Sequence, residues 1–310
     1  MTPQNWQGLS RTRPSVVALG NFDGMHLGHR RLLESLQQAS KRLALDPVVL
    51  TFEPHPRHFL FPEKRTVLLT PPREKAERLA EFGVEVITMV FDNTLAQMSG
   101  EDFIRVLVER LQGQHFLLGP GHRFGKNAKG DAQMLERMLG SSSGNKVKEI
   151  PPEILEGGMV VSSSHIRRFL EEGQIEMANR MLGRPYFLRG KVIRGEERGK
   201  SLGFPTANLW LEDERKALPA FGVYGGRALF KNQFYSAVAN LGVKPTFSGH
   251  SATIEIHLLE FTGDLYGEEL GFEVQHFLRP EQKFASIEAL RAQIGLDIAH
   301  WSEKAAKMDK

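Results

Sequence analysis

Gly20-Asn21-Phe22-Asp23-Gly24-Met25-His26-Leu27-Gly28-His29 is the stretch on which the fold turns. Before it, the apolar run Val16-Val17-Ala18-Leu19 reads as a buried strand; after it, Leu32, Leu36, Ala39 and Leu43 recur at helical spacing within residues 30–45. The unit is a strand, a turn and a helix start. Gly20, Gly24 and Gly28 let the backbone turn sharply and approach a ligand closely. A helix beginning near His26 adds free N–H groups and the positive end of its dipole, a combination that suits phosphate. If the first turn is already helical, His26 and His29 share one face, and they can hydrogen-bond a reacting phosphate or, when protonated, neutralise its charge. The pattern is neither G-x-x-x-x-G-K-[ST] nor G-x-G-x-x-G. Beside Asp23 the two imidazoles would also suit a metal, although no third and fourth ligand stands nearby in sequence, or would simply cap the helix.

The whole chain narrows the field. At 310 residues it suits two domains, each able to bury its own core. A formal charge of +3, spread along the chain, argues against a nucleic-acid partner and for small anionic ligands. There is no cysteine, which excludes a disulfide scaffold, a thiolate metal site and a cysteine nucleophile. Residues 1–14 are polar, and no apolar run of about 18 residues occurs, so no membrane partner is expected and the cytoplasm is the expected address. Homo-oligomerisation is left open.

Beyond the opening unit, residues 47–52 form a second apolar strand stopped by Glu53-Pro54-His55-Pro56. A helix over 71–82, a strand over 84–90, a helix over 100–111 capped by Ser99, and a strand over 115–119 follow. Strands alternating with helices predict a parallel sheet covered on both faces, with ligands at the carboxyl ends of its strands. The loop 119–125 would reach the same end. Near residue 162 the run Ser162-Ser163-Ser164-His165-Ile166-Arg167 precedes a helical pattern. Its hydroxyls and amides would face an anion that Arg167 could fork, or the serines would be a plain cap.

At Gly183-Arg184-Pro185 the period changes from helical to two, so the domains are expected to be 1–183 and 184–310. The clearest strand is Thr253-Ile254-Glu255-Ile256-His257-Leu258, apolar on one side and polar on the other. Many short strands with glycine turns predict a closed antiparallel barrel. A terminal helix carries Ile287, Leu290, Ile294, Ile298 and Trp301 on one stripe, expected to pack on the barrel. Gly190, Gly195, Gly199 and Gly203 lead to Phe204-Pro205-Thr206-Ala207-Asn208. Such a connection can bring amides to phosphates while Thr206 and Asn208 offer two oxygens to magnesium, or the glycines merely mark turns and Pro205 an edge. Glu255, a carboxylate on the polar face of an apolar strand, is suited to general-base work, the alternative being a solvent-facing strand residue.

These pieces together resemble a known family. The Gly20–His29 stretch is similar to the H-x-G-H signature of nucleotidyltransferases and the serine run to their I-S-S-T-x-I-R element. Thr51-Phe52-Glu53-Pro54-His55-Pro56, Leu69-Thr70-Pro71 and Arg123-Phe124-Gly125 with Gly130-Asp131 resemble the adenylyltransferase module of bacterial bifunctional riboflavin kinase/FAD synthetases. The second half resembles their riboflavin kinase module through residues 202–208, Gly222-Val223-Tyr224, Asn240-Leu241-Gly242 with Pro245-Thr246, Glu255-Ile256-His257, Leu265-Tyr266-Gly267 and 277–281. Two positions depart from the family: Gly121 stands where asparagine or aspartate is frequent, and His165 where arginine or threonine is.

The resemblance implies an α/β nucleotidyltransferase domain of Rossmann-like parallel sheet, followed by an antiparallel β-barrel kinase domain with a C-terminal helix. It implies ATP-dependent phosphorylation of riboflavin to FMN, then adenylyl transfer from ATP to FMN giving FAD and pyrophosphate, with Mg2+ required. In the first module, Gly20, Asn21, Phe22, Asp23, Gly24 and Gly28 would line the ATP site. His26 and His29 would hold its phosphates through the transition state, and Ser162, Ser163, Ser164 and Arg167 would grip the β and γ phosphates. In the second, Gly195, Gly203 and Pro205 would shape the ATP and flavin sites, Thr206 and Asn208 would bind Mg-ATP, Glu255 would be the base, and Arg279 would lie near flavin or phosphate. The rivals are a protein with only the kinase half active and a flavin- or nucleotide-binding regulator.

Overall fold

A computed structural model describes the chain apart from residues 1, 65–66, 141–145, 196–198, 200–201, 247–248 and 309–310, and describes only the backbone of 244–246 and 249–251. The side chains of the Pro245-Thr246 motif therefore lie outside the described ones. By compactness the chain forms two units, Met1–Ser163 and Ser164–Lys310.

The first unit is built on a five-stranded parallel sheet of β1 (Ser15–Leu19), β2 (Asp46–Glu53), β3 (Glu85–Val90), β4 (Gly113–Leu118) and β5 (Lys146–Glu149), ordered β3-β2-β1-β4-β5. All five residues of central β1 are buried. The reason is two-sided cover: Val17 and Leu19 join one apolar cluster and Val16 and Ala18 the other, so no alternation is visible in the sequence. The helices are α1 (Leu27–Leu43), α2 (Pro56–Leu60), α3 (Pro72–Ala80), α4 (Asn93–Ala96), α5 (Gly100–Arg105) and α6 (Ala132–Leu139). Ser99 caps α5 by accepting the Asp102 N–H, and the expected helix to Leu111 continues beyond α5 as a π turn, Val106–Arg110. Edge strand β5 escapes sequence patterning because Lys146-Val147-Lys148-Glu149 carries one apolar residue; such lysines guard a sheet edge. A short antiparallel pair, β6 (Ile154–Leu155) and β7 (Met159–Val160), precedes the serine run.

The helices α7 (Ser163–Glu171) and α8 (Ile175–Leu182) lead to a closed barrel of β8 (Tyr186–Ile193), β9 (Ala207–Leu211), β10 (Gly222–Phe230), β11 (Gln233–Thr246), β12 (Gly249–Leu258) and β13 (Glu269–Pro280). In the second unit the amide of Asn179 donates to Val274 O (2.9 Å) and accepts the Tyr186 N–H (2.7 Å), tying α8 to the barrel. Gly183 closes α8 in the left-handed conformation, and we retain residue 183 as the proposed boundary between the two modules. The alternation expected in β12 is present: Ile254, Ile256 and Leu258 are buried, with Thr253, Glu255 and His257 half-buried between them.

The C-terminal helix α9 (Ile287–Met308) departs from the expected packing of its whole apolar stripe. Trp301 is fully buried, its indole N–H on Ser236 Oγ (2.9 Å), and Ile298 packs against the same barrel cluster, whereas Ile287 is 66% exposed and Leu290 and Ile294 flank a cavity. Only glycine fits beneath the indole, because a Cβ on Gly225 would lie 2.2 Å from Trp301 Cε3. Trp301→Ala is expected to cost about 3–5 kcal/mol of unfolding free energy, read as a lower urea midpoint at unchanged slope.

Candidate functional sites

In the first unit the turn after β1 is strained and held. Phe22, Gly24 and Met25 have φ of 52, 91 and 44°, a left-handed region that large residues avoid. Burial of Phe22 and Met25 offsets this, and so do side chains from three other segments. The Thr70 N–H donates to Asp23 Oδ1 (2.9 Å), and the Gly24 N–H to Thr70 Oγ1 (2.9 Å). The Thr51 hydroxyl donates to Asn21 O (3.3 Å), and the Ser163 hydroxyl to Asp23 O (2.7 Å). Ser163 thus braces the turn through its hydroxyl as well as opening α7.

His26 is the N-cap of α1, its Nδ1 accepting the His29 N–H (3.3 Å). That bond assigns the proton of a neutral ring to Nε2. The two imidazoles stack, centroids 3.7 Å apart and planes 15° from parallel. Gly28 leaves room for this, since a Cβ there would lie 3.2 Å from the His26 ring. The result is a pair of donors above the first-turn amides of a 17-residue helix, at the carboxyl edge of the central strand. Among the described residues no group of three or more His, Asp or Glu is arranged to hold a metal.

Aromatic rings from β2, the helices and the loops of this unit cluster: Phe52 and Phe59 each meet Phe91 (5.9 and 5.6 Å), and Phe103 meets Phe124 (5.5 Å). His122, 6.4 Å from Phe124, is pushed down to about 4 by burial, against the pull of Glu149, and is neutral at ordinary pH. Gly121 sits at φ 60° and donates its N–H to Glu149 Oε1 (2.6 Å). Asparagine and aspartate also tolerate that conformation, which accounts for the departure at this position. The Arg123-Phe124-Gly125 and Gly130-Asp131 elements brace each other: Phe124 and Gly130 exchange backbone bonds (3.1 and 2.9 Å), and Arg123 pairs with Asp131 (2.8 Å).

Lys75 carries no motif, yet it is 6% exposed, with Nζ 3.3 Å from Thr51 Oγ1, 3.4 Å from Phe52 O and 3.9 Å from Glu53 Oε2. A lysine in Pro72-Arg73-Glu74-Lys75 looks solvent-facing until β2 is placed beside it. Ser162 is half-buried. Ser164 (exposed) and Arg167 (half-buried) lie on α7 in the second unit.

In the second unit two cavities share Thr206. One, of about 480 Å³, is lined by Gly195, Pro205, Thr206, Asn208 and Tyr266 among others. The other, of about 360 Å³, is lined by Glu255, Thr206, Arg279, Val223, Val238 and the Leu290, Ile294 and Ile298 face of α9. The Thr206 hydroxyl donates to Glu255 Oε2 (3.4 Å), and Glu255 pairs with Asn208 in register. Gly195 leaves room for the Asn208 amide, because a Cβ would lie 2.2 Å from Asn208 Nδ2 and displace it; Gly203 turns at φ 85°. His257 has Nδ1 2.7 Å from Pro205 O and its ring edge-on to Phe204.

Arg279 is pinned by buried Asp297: Nε lies 3.0 Å from both carboxylate oxygens and Nη2 2.8 Å from Oδ2, with Gln293 supporting Asp297 (2.9 Å). It thus joins β13 to α9 and walls the smaller cavity. The neutral hard oxygens of Thr206 and Asn208 fit magnesium, which keeps water and phosphate as its other ligands.

Comparison with known proteins follows the same division. Residues 9–165 match the FAD synthetase family and residues 182–305 the riboflavin kinase family. Proteins named bifunctional riboflavin kinase/FMN adenylyltransferase are similar over almost the whole length. The Pseudomonas fluorescens protein is 37% identical over 94% of this chain and 95% of its own, and the Bacillus subtilis (strain 168) protein 36% identical over 91% and 90%. A Streptococcus pneumoniae crystal structure described as a macrolide-efflux protein superposes with TM-score 0.87 at 31% identity, covering 95% of this chain and 96% of that one. Among the described residues no helix is long and apolar enough to cross a membrane.

Proposed function

The chain belongs to the bifunctional riboflavin kinase/FMN adenylyltransferase family and serves FAD biosynthesis, and from that premise we propose which of its residues carry each reaction. The kinase assignment rests on one observation: Thr206 borders both barrel cavities, with Asn208 on one side and Glu255 on the other. ATP enters the larger cavity and the riboflavin ring the smaller, more apolar one. Glu255 takes the proton of the riboflavin 5′-hydroxyl, whose oxygen attacks the γ-phosphorus of ATP as the bond to ADP breaks. Thr206 and Asn208 would hold magnesium, which when bound neutralises phosphate charge. Arg279, pinned by Asp297, positions the wall against which the flavin lies. Gly195→Ala is expected to push the Asn208 amide aside and weaken apparent magnesium affinity in the kinase assay about 10–100-fold. FAD formation from supplied FMN should be unchanged.

In the second reaction a phosphate oxygen of FMN attacks the α-phosphorus of ATP in line, and pyrophosphate leaves. No protein nucleophile is needed. The stacked His26 and His29 hydrogen-bond the ATP phosphates as charge builds on the leaving pyrophosphate, the turn from Gly20 to Gly24 lets the nucleotide approach closely, and the α1 amides add their dipole. The aromatic rings around Phe91 and Phe124 offer an apolar seat for the isoalloxazine. Ser163 holds the turn through Asp23. The part of Ser162, Ser164 and Arg167, gripping the β and γ phosphates, rests on the family resemblance.

Incubating the purified protein with riboflavin, Mg2+ and ATP and separating the flavins should show FMN first and FAD after it. FMN without FAD would leave a kinase alone and refute the assignment of the first unit.

A further inference from the structure

Two carboxylates stand beside a turn that has to accept polyanions. Asp23 is part of the turn itself and 3% exposed, and Glu53 ends the adjacent strand with its side chain 19% exposed. Unopposed, they would repel both ATP and FMN. A buried cation close to them is Lys75, on the inner face of α3, where Leu79 is its buried neighbour.

We propose that Lys75 is a positioning residue for adenylyl transfer: its ammonium offsets Asp23 and Glu53 and, through Thr51, fixes the carbonyl of Asn21, so that the phosphates of ATP can settle on the turn. The proposal rests on the reading of Gly20–His29 as the ATP site. The geometry forms a relay. Lys75 Nζ donates to Thr51 Oγ1 (3.3 Å), which leaves the Thr51 hydroxyl to donate to Asn21 O (3.3 Å). A third contact, to Phe52 O at 3.4 Å, holds the ammonium at the end of β2. Burial lowers the lysine's pKa, and Glu53 and then Asp23 oppose that shift. A buried cation with less than full hydrogen bonding is costly to keep. Met would fill the same space more cheaply, so packing alone gives little reason for a lysine.

The test changes charge at constant shape. Lys75→Met removes a positive charge from beside two carboxylates, whereas Lys75→Met with Glu53→Gln restores the net charge of the wild-type trio. Lys75→Met is expected to raise KM for ATP in FAD synthesis from FMN by about tenfold or more, the size of one lost charge contact, with riboflavin phosphorylation unchanged. The double variant should recover most of that loss. A wild-type KM in the single variant overturns the proposal, and so does a double variant no better than the single, since a packing role would not answer to Glu53. Should the single variant fail to fold, the double carries the test: folded with near-wild-type KM it supports charge balance, and folded with KM still raised tenfold it refutes it. His29→Ala is assayed alongside. If it keeps full FAD synthesis, the site reading itself has failed; if it is inactive while Lys75→Met binds ATP normally, only the role of Lys75 has.

Discussion

Glu255→Gln is expected to reduce the turnover number of riboflavin phosphorylation by about 10²–10⁴-fold, the range of general-base catalysis. Glutamine keeps the shape and an oxygen for the Thr206 hydroxyl, now 3.4 Å from Glu255 Oε2, so the strand and the cavity survive while the proton acceptor is lost. Adenylylation of supplied FMN should continue at its ordinary rate. An unchanged kinase turnover number would remove Glu255 as the base. A raised KM with unchanged turnover would make it a binding residue instead.

His29→Ala should abolish FAD formation while FMN accumulates, a loss of about 10²–10³-fold or more if the imidazole donates to transition-state charge. This variant is the cleaner of the two histidine changes. The His29 backbone N–H remains in alanine, so His26 keeps its cap bond (3.3 Å), and only the stacked ring is removed. His26→Ala would also cost the cap, about 1 kcal/mol of helix stability, and mix two effects. Wild-type FAD synthesis by His29→Ala would refute the assigned role.

Several features could not be read from the chain. The strand Ala207–Leu211 was hidden because its first residues look like the end of a glycine-rich connection, and only its pairing with β8 and β12 makes it a strand. Lys75 is a similar case: its burial comes from Thr51 and Glu53, more than twenty residues earlier, and no local period reports it. The stripe on α9 was placed correctly, but periodicity says which residues share a face and is silent on what lies opposite. Trp301 and Ile298 meet the barrel, whereas Leu290 and Ile294 meet a cavity.

Properties written locally were legible from residue order. The strand-turn-helix around Gly20–His29, the change of period near residue 183 and the two-faced strand holding Glu255 all depend on spacing between near neighbours, and spacing is fixed by covalent geometry. The family followed from several such pieces in order. Long-range juxtapositions needed the folded chain: the stacking of His26 on His29, the brace of Asp23 by Thr70 and Ser163, the position of Thr206 between two cavities, and the lysine beneath the turn. The stacking needs the actual ring orientations, and the others depend on distances between segments far apart in sequence, which packing sets and residue order alone does not.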